Sequence, residues 1–199
     1  MREIAPGVWH WTARHPKIGI DVSSYFLPDH GVLLDPLLPA AGPDRLAELG
    51  QPREILLTNR HHWRHSSELI ERFGCTARAP RAGMHEFVPG QPVTPYDPGE
   101  SLADGAVTAH EVGAICPDES ALHFPGASAL AVADGVIHHG RLAFVPDAYM
   151  DDPEQTKAAL RAAYRRLAEE LEFDLLLTAH GEPVVGGARE ALRAFAEAR

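Results

Sequence analysis

An apolar run that stops at a cluster of histidines limits what this chain can fold into more than any other feature. Ile55-Leu56-Leu57-Thr58 leads into three histidines within five positions, His61, His62 and His65, and Ser66-Ser67-Glu68 then opens a helix. A short, continuous apolar run bounded by polar residues reads as a strand covered on both faces, so the fold needs layers on either side of the sheet that holds it. Imidazole is the commonest metal ligand and changes charge near neutral pH, which makes a histidine cluster between strand and helix a candidate site rather than a plain polar turn.

A chain of 199 residues, 45% hydrophobic, can bury one substantial core, and residues 1–199 are read as one domain of mixed α/β class. The formal net charge of -10 provides no general basic surface, which argues against nucleic acid and anionic membranes as partners and leaves a small-molecule substrate. No apolar run is long enough to span a bilayer and the first residues, Met1-Arg2-Glu3, begin no apolar leader, so a cytoplasmic location is expected. A homodimer is left open. Cys75 and Cys116 have neither zinc-knuckle spacing nor disulfide density and read as packed thiols.

The rest of the chain alternates in the same way. Residues 4–11 and 22–27 are β-type runs, Asp29-His30-Gly31 is a tight turn, and Val32 to Leu34 forms a strand that ends in Asp35. A short helix from Pro43-Asp44 to Gly50 precedes the Ile55 strand, and Ser66 or Ser67 caps a helix carrying Leu69, Ile70 and Phe73 up to Gly74. Pro80 to Gly99 contains five prolines and reads as a surface excursion and possible lid. Strands follow at residues 107–112, 121–124, 129–133 and 136–139, with Asp134-Gly135 as a hairpin signal between the last two. Asp152 and Pro153 start the longest helix, to about Glu172, with Leu160, Tyr164, Leu167 and Leu171 on one face. A strand from Phe173 to Thr178 runs into Ala179-His180-Gly181, and residues 187–198 close the chain as a helix.

This order resembles the metallo-β-lactamase superfamily over nearly the whole chain. The resemblance implies a four-layer αββα sandwich with metal ligands on loops at one sheet edge. The family's motifs are His-x-His-x-Asp-His after a strand ending in Thr, a Pro-Gly-His turn, a strand ending in Gly-Asp whose carboxylate bridges two metals, and a strand ending in Gly-His-Gly. Aligned on the histidine before the helix, His65 and His62 match two histidines of the first motif, while Arg60 and Arg64 stand at its first His and its Asp. A second register instead puts Asn59 and His61 on the two leading histidines, with Trp63 and Arg64 behind them. Pro117-Asp118-Glu119 is similar to the Pro-Gly-His turn, Gly140-Arg141 to Gly-Asp, and Ala179-His180-Gly181 to the last motif.

On this resemblance the ligand set is His62, His65, His180 and Glu119, holding one zinc, iron or manganese that activates water for ester, lactone, thioester or phosphoester cleavage, with Glu119 as ligand or base. Arg60, Arg64 and Arg141 then bind an anionic substrate group, because arginine is always protonated and cannot ligate a cation. The alternative is a metal-free pseudoenzyme or ligand-binding module in which the same arginines fill the former metal site. An arginine about 4 Å from a divalent ion would be repelled by roughly 8 kcal/mol at an effective dielectric of about 20. Both readings stand at this point. His10, His15, His30, His85, His110 and His123 read as strand or loop histidines, and His139 as a reserve ligand.

Overall fold

The computed structural model describes residues 1–198. Its first half forms a seven-stranded sheet from β1 (Arg2–Ala5), β2 (Val8–Arg14), β3 (Asp21–Leu27), β4 (Val32–Leu34), β5 (Glu54–Leu56), β6 (Thr76–Pro80) and β7 (Val93–Tyr96), in that spatial order. β1 to β4 pair as antiparallel neighbours and β4 to β7 as parallel ones. The parallel pairs need crossovers, and α1 (Asp44–Leu49) and α2 (Ser66–Phe73) supply two of them. α2 stops at Gly74, whose φ of 66° is the left-handed conformation that glycine adopts without a Cβ penalty.

The second half repeats the plan. β8 (Ser101–Leu102), β9 (Val107–Glu111), β10 (Ser120–Phe124) and β11 (Ala129–Val132) lead through the two-stranded ribbon β12 (Val136–His138) and β13 (Leu142–Phe144) to α3 (Pro153–Glu170), β14 (Leu175–Thr178), β15 (Val184–Val185) and α4 (Ala188–Glu197). The second sheet has the order β15-β14-β11-β10-β9-β8, with β11 and β14 parallel. Asp152 caps α3 by accepting the Gln155 N–H at 3.1 Å, with Pro153 in the first turn.

Period-two alternation sorts the side chains into layers. Tyr25, Leu27, Leu34 and Leu56 of the first sheet meet Leu122, Phe124, Ala129, Ala131, Leu175 and Leu177 of the second between the sheets. The strand neighbours Phe26, Leu33 and Ile55 point the other way, onto Leu46 of α1 and Leu69 of α2. Leu130, Val132 and Leu176 likewise pack on Leu160, Tyr164 and Leu167 of α3 and Leu192 of α4. The layers are therefore helix, sheet, sheet, helix, the αββα sandwich expected from the sequence.

Three local expectations are corrected. Asp134-Gly135 does not join a hairpin: β11 is already flanked by β10 and β14, and β12 pairs with β13 instead. Pro80 to Gly99 is not wholly a surface excursion, because β7 adds an edge strand parallel to β6 and Tyr96 is fully buried; Pro95 is tolerated there as an edge residue. Ser66 lies inside α2, and His65 takes the N-cap position without a side-chain cap bond.

At one edge the two sheets are joined by hydrogen bonds as well as by apolar packing. Tyr25 Oη of the first sheet donates to the Thr178 carbonyl of the second at 2.8 Å, while within the first sheet Tyr96 Oη holds the Leu57 carbonyl at 2.7 Å. Beside them Ser23 N–H donates to Ala179 O and Ser120 N–H to Thr58 O, each at 2.9 Å. This seam fixes the ends of β5 and β14, which carry the histidine segments.

Candidate metal centre

Four strands end at the seam, and each is followed within two residues by a polar one: Asp35 after β4, Thr58 after β5, Asp134 after β11 and His180 after β14. Beyond Thr58 the chain makes a tight 3-10 turn over Arg60–Trp63, capped by Asn59, whose side-chain oxygen accepts the His61 N–H at 2.9 Å. Such a turn repeats about every three residues, so Asn59 and His62 share a side while His61 points to solvent.

His62 Nε2 and His180 Nε2 converge on one oxygen, Asp134 Oδ1, at 3.1 and 2.9 Å. The ligand atoms of His62, Asp134 and His180 all lie within 4.8 Å of one another. The second oxygen, Asp134 Oδ2, accepts from Asn59 Nδ2 at 2.8 Å. On its far side His62 Nδ1 is 2.9 Å from Asp35 Oδ2, which also accepts the Thr58 hydroxyl at 2.6 Å. Asp35 Oδ1 accepts the Thr58 N–H at 2.8 Å, so the aspartate fixes both the strand end and the imidazole. A carboxylate on Nδ1 keeps the proton there and frees Nε2 for the cluster.

The electrostatics follow from this burial. Desolvation opposes a charge on His62, yet Asp35 and Asp134 on either side outweigh it and push its pKa up to about 9. Burial raises the Asp134 carboxyl, and His62 and His180 more than reverse that, holding it well below the usual carboxylate range. Asp35 shows the same contest and also ends below its ordinary value.

The residues expected from the sequence are only partly gathered here. His62 and His180 belong to the cluster. His65 Nδ1 instead accepts the Leu38 N–H at 3.0 Å, and His65 is not among the converging ligands. Glu119 points the other way, into the α3 side of the second sheet. Its carboxylate accepts the Gly135 N–H at 2.7 Å and the Ile115 N–H at 3.2 Å, and burial pushes its pKa up to about 7. Arg60 is ion-paired with buried Asp118 and with Glu86. Arg141 and its neighbour His139 are both exposed in the β12–β13 turn. Arg64 does lie at the site: its Nη1 donates to the carbonyls of Ser23 at 2.7 Å and Asp35 at 2.5 Å.

The carboxylate at the cluster is Asp134, whereas Arg141, matched to the Gly-Asp motif from the sequence, lies away from it. Ala133-Asp134 follows an apolar strand as Gly-Asp does in the family motif, and with alanine for glycine the same letters read as a hairpin turn. Asp35 and Asn59 were visible as a strand-terminal acid and in the second register, but nothing in the spacing showed that they converge.

A divalent ion fits these donors. Two imidazole nitrogens and a carboxylate oxygen suit zinc, iron or manganese and leave coordination positions open. Arg64 does not oppose this through its bound nitrogen, because Nη1 is turned onto two backbone carbonyls.

Comparison with known proteins places this geometry. The family model described as the metallo-beta-lactamase superfamily matches residues 2–198. Among solved structures, a metallo-beta-lactamase family protein from Thermus thermophilus superposes with a TM-score of 0.69 at 19% identity, over 98% of this chain and 78% of that one. DIM-1 metallo-beta-lactamase gives 0.70 at 12% identity, over 98% and 95%. Rubredoxin oxygen:oxidoreductase from Desulfovibrio gigas gives 0.66 at 16%, over 98% and 61%. No curated protein matches the sequence. The chain belongs to the metallo-β-lactamase superfamily.

Proposed function

We propose that the protein is a metal-dependent hydrolase of small molecules, with one divalent ion held by His62, Asp134 and His180. The observation that carries this reading is the convergence of both Nε2 atoms on Asp134 Oδ1, with His62 set in its ligating tautomer by Asp35. When bound, such an ion lowers the pKa of water to about 7 and supplies hydroxide for attack on a carbonyl or phosphoryl centre. The chain's own residues prepare the site. Asp35 and Thr58 fix the His62 ring, Asn59 fixes Asp134, and the hydrogen-bonded seam keeps the His180 loop against the first sheet. Esters, lactones, thioesters and phosphoesters are the substrate classes open to it.

A second reading has its own support. With His62 protonated, an imidazolium lies between two carboxylates and balances Asp134 without any ion, as a metal-free binding module would require. Elemental analysis of protein purified without chelator separates the two. About one equivalent of zinc, iron or manganese, lost in Asp134→Ala, supports the hydrolase; no metal after incubation with excess zinc overturns it.

A further inference from the structure

Of the three arginines that the sequence suggested for binding an anion, two are already engaged or elsewhere. Arg60 is neutralised by Asp118 and Glu86, and Arg141 is exposed in a turn of the β12–β13 ribbon. Arg64 differs from both. No carboxylate lies within ion-pairing distance of it among the described residues, and its side chain is largely covered. A single nitrogen, Nη1, rests on the carbonyls of Ser23 and Asp35. Nε and Nη2 make no hydrogen bond to a described residue and are not sealed from solvent. A guanidinium anchored by one nitrogen, with a free edge of N–H donors, is the fork that grips a planar oxyanion.

Its surroundings place the Arg64 guanidinium beside the cluster. Asp35, on whose carbonyl Arg64 rests, is the residue that orients His62. Ser23, its other anchor, donates from Oγ to Gly181 O at 2.5 Å and from N–H to Ala179 O at 2.9 Å, so the same residue holds the His180 loop. The backbone of Arg64 has φ 45° and ψ -116°, a conformation that a non-glycine residue adopts at a cost, and it is sustained where the chain turns from the 3-10 segment into α2.

We propose that Arg64 receives an oxyanion group of the substrate, a carboxylate or phosphate carried next to the bond that is cleaved. The assignment rests on the reading that substrate is held at the His62–Asp134–His180 cluster, and it narrows the substrate to acids: carboxylate-bearing esters, lactones or thioesters, or phosphoesters. Uncharged esters and lactones are then poor substrates.

The test is a titration of ¹⁵N-labelled full-length protein, both chelated and zinc-loaded, with inorganic phosphate, acetate and neutral acetamide at constant ionic strength. The probe is the Arg64 Nε–Hε resonance, which reports on this guanidinium even where phosphate also meets the metal. A saturable shift with phosphate or acetate and none with acetamide is expected, with whichever anion binds more tightly naming the group. Calorimetry on Arg64→Gln should show oxyanion binding weakened about tenfold or more, with Arg64→Lys intermediate because it keeps the charge and loses the fork. A resonance that moves with neither anion overturns the proposal, as does Arg64→Gln binding like the parent. Arg64 also ties two carbonyls, so if Arg64→Gln does not fold, the parent titration decides alone. Metal content of the same samples separates the two ideas. Metal present with an unmoved resonance sinks the Arg64 role only, whereas a moved resonance in protein that takes up no metal sinks the hydrolase only.

Discussion

Asp35 Oδ2 lies 2.9 Å from His62 Nδ1, on the side of the ring opposite Asp134. On the proposed metal reading it orients a buried imidazole for ligation, and outer carboxylates of this kind are worth about 10–100-fold in metal affinity. Asp35→Asn is expected to weaken zinc binding by about that factor, measured by competition with a chromophoric chelator. An unchanged affinity would show that packing alone orients His62.

The ligand set makes a sharper prediction. His180→Ala and Asp134→Ala should each abolish stoichiometric zinc. His65→Ala and Glu119→Ala should retain about one equivalent, since His65 accepts the Leu38 N–H and Glu119 faces Gly135. Elemental analysis of the four variants beside the parent tests this, and loss of metal from His65→Ala would restore that residue to the ligand set.

The pH dependence of the chelated protein follows from His62. Its pKa rises from 6.5 to about 9 on folding, so the charged form contributes stability that is complete below the lower value and is lost as pH climbs through the higher one. The melting temperature of chelated protein should therefore fall between pH 7 and about 10. Zinc binding has the opposite sign, because the ion must displace that proton, and affinity should rise about tenfold per pH unit from 7 towards 9. A flat affinity over that interval would mean that His62 is already neutral.

Glu119 contributes a second titration, away from the cluster. Burial raises its pKa from 4.5 to about 7, so the folded state holds a proton that the unfolded state has released. Stability should decline as pH rises across that window, by on the order of 2 to 3 kcal/mol, and Glu119→Gln should remove the decline while losing one acceptor for a backbone N–H. Urea midpoints of both proteins at pH 5 and pH 8 provide the check.

Gly181 follows His180 with φ 85°, and a Cβ there would lie 2.0 Å from the His138 carbonyl oxygen. Backbone cannot swing aside as a side-chain tip can. Gly181→Ala is expected to destabilise the fold by more than about 1 to 2 kcal/mol and to reduce zinc content, read by thermal melting and elemental analysis together.

The layers were legible because alternation is a local property. Phe26 against Tyr25 and Leu27, or Leu176 against Leu175 and Leu177, names its face from its neighbours alone. The His62 and His180 positions were legible for a related reason, since each follows a strand. What could not be read was convergence. Asp134-Gly135 carries the composition of a hairpin turn, and only the placement of β11 between β10 and β14 makes it a strand exit. His61, His62 and His65 are equivalent as letters, and the three-residue repeat of the turn selects His62 from among them. Glu119 was misjudged in direction, because a sequence shows that an acid follows Pro117-Asp118 but not which side of the sheet it enters.

The hydrogen-bonded seam also bears on how the molecule assembles. His62 follows a strand of the first sheet and lies 72 positions from Asp134, which like His180 follows a strand of the second, so the cluster is complete only when the two sheets are docked. Contacts so remote in sequence form late, because the entropy of the intervening loops is lost before they are made. The second sheet alone would present Asp134 and His180 without His62, and the first sheet alone only His62. On the proposed metal reading, metal uptake would report completion of sheet docking, and a captured ion would slow its reversal.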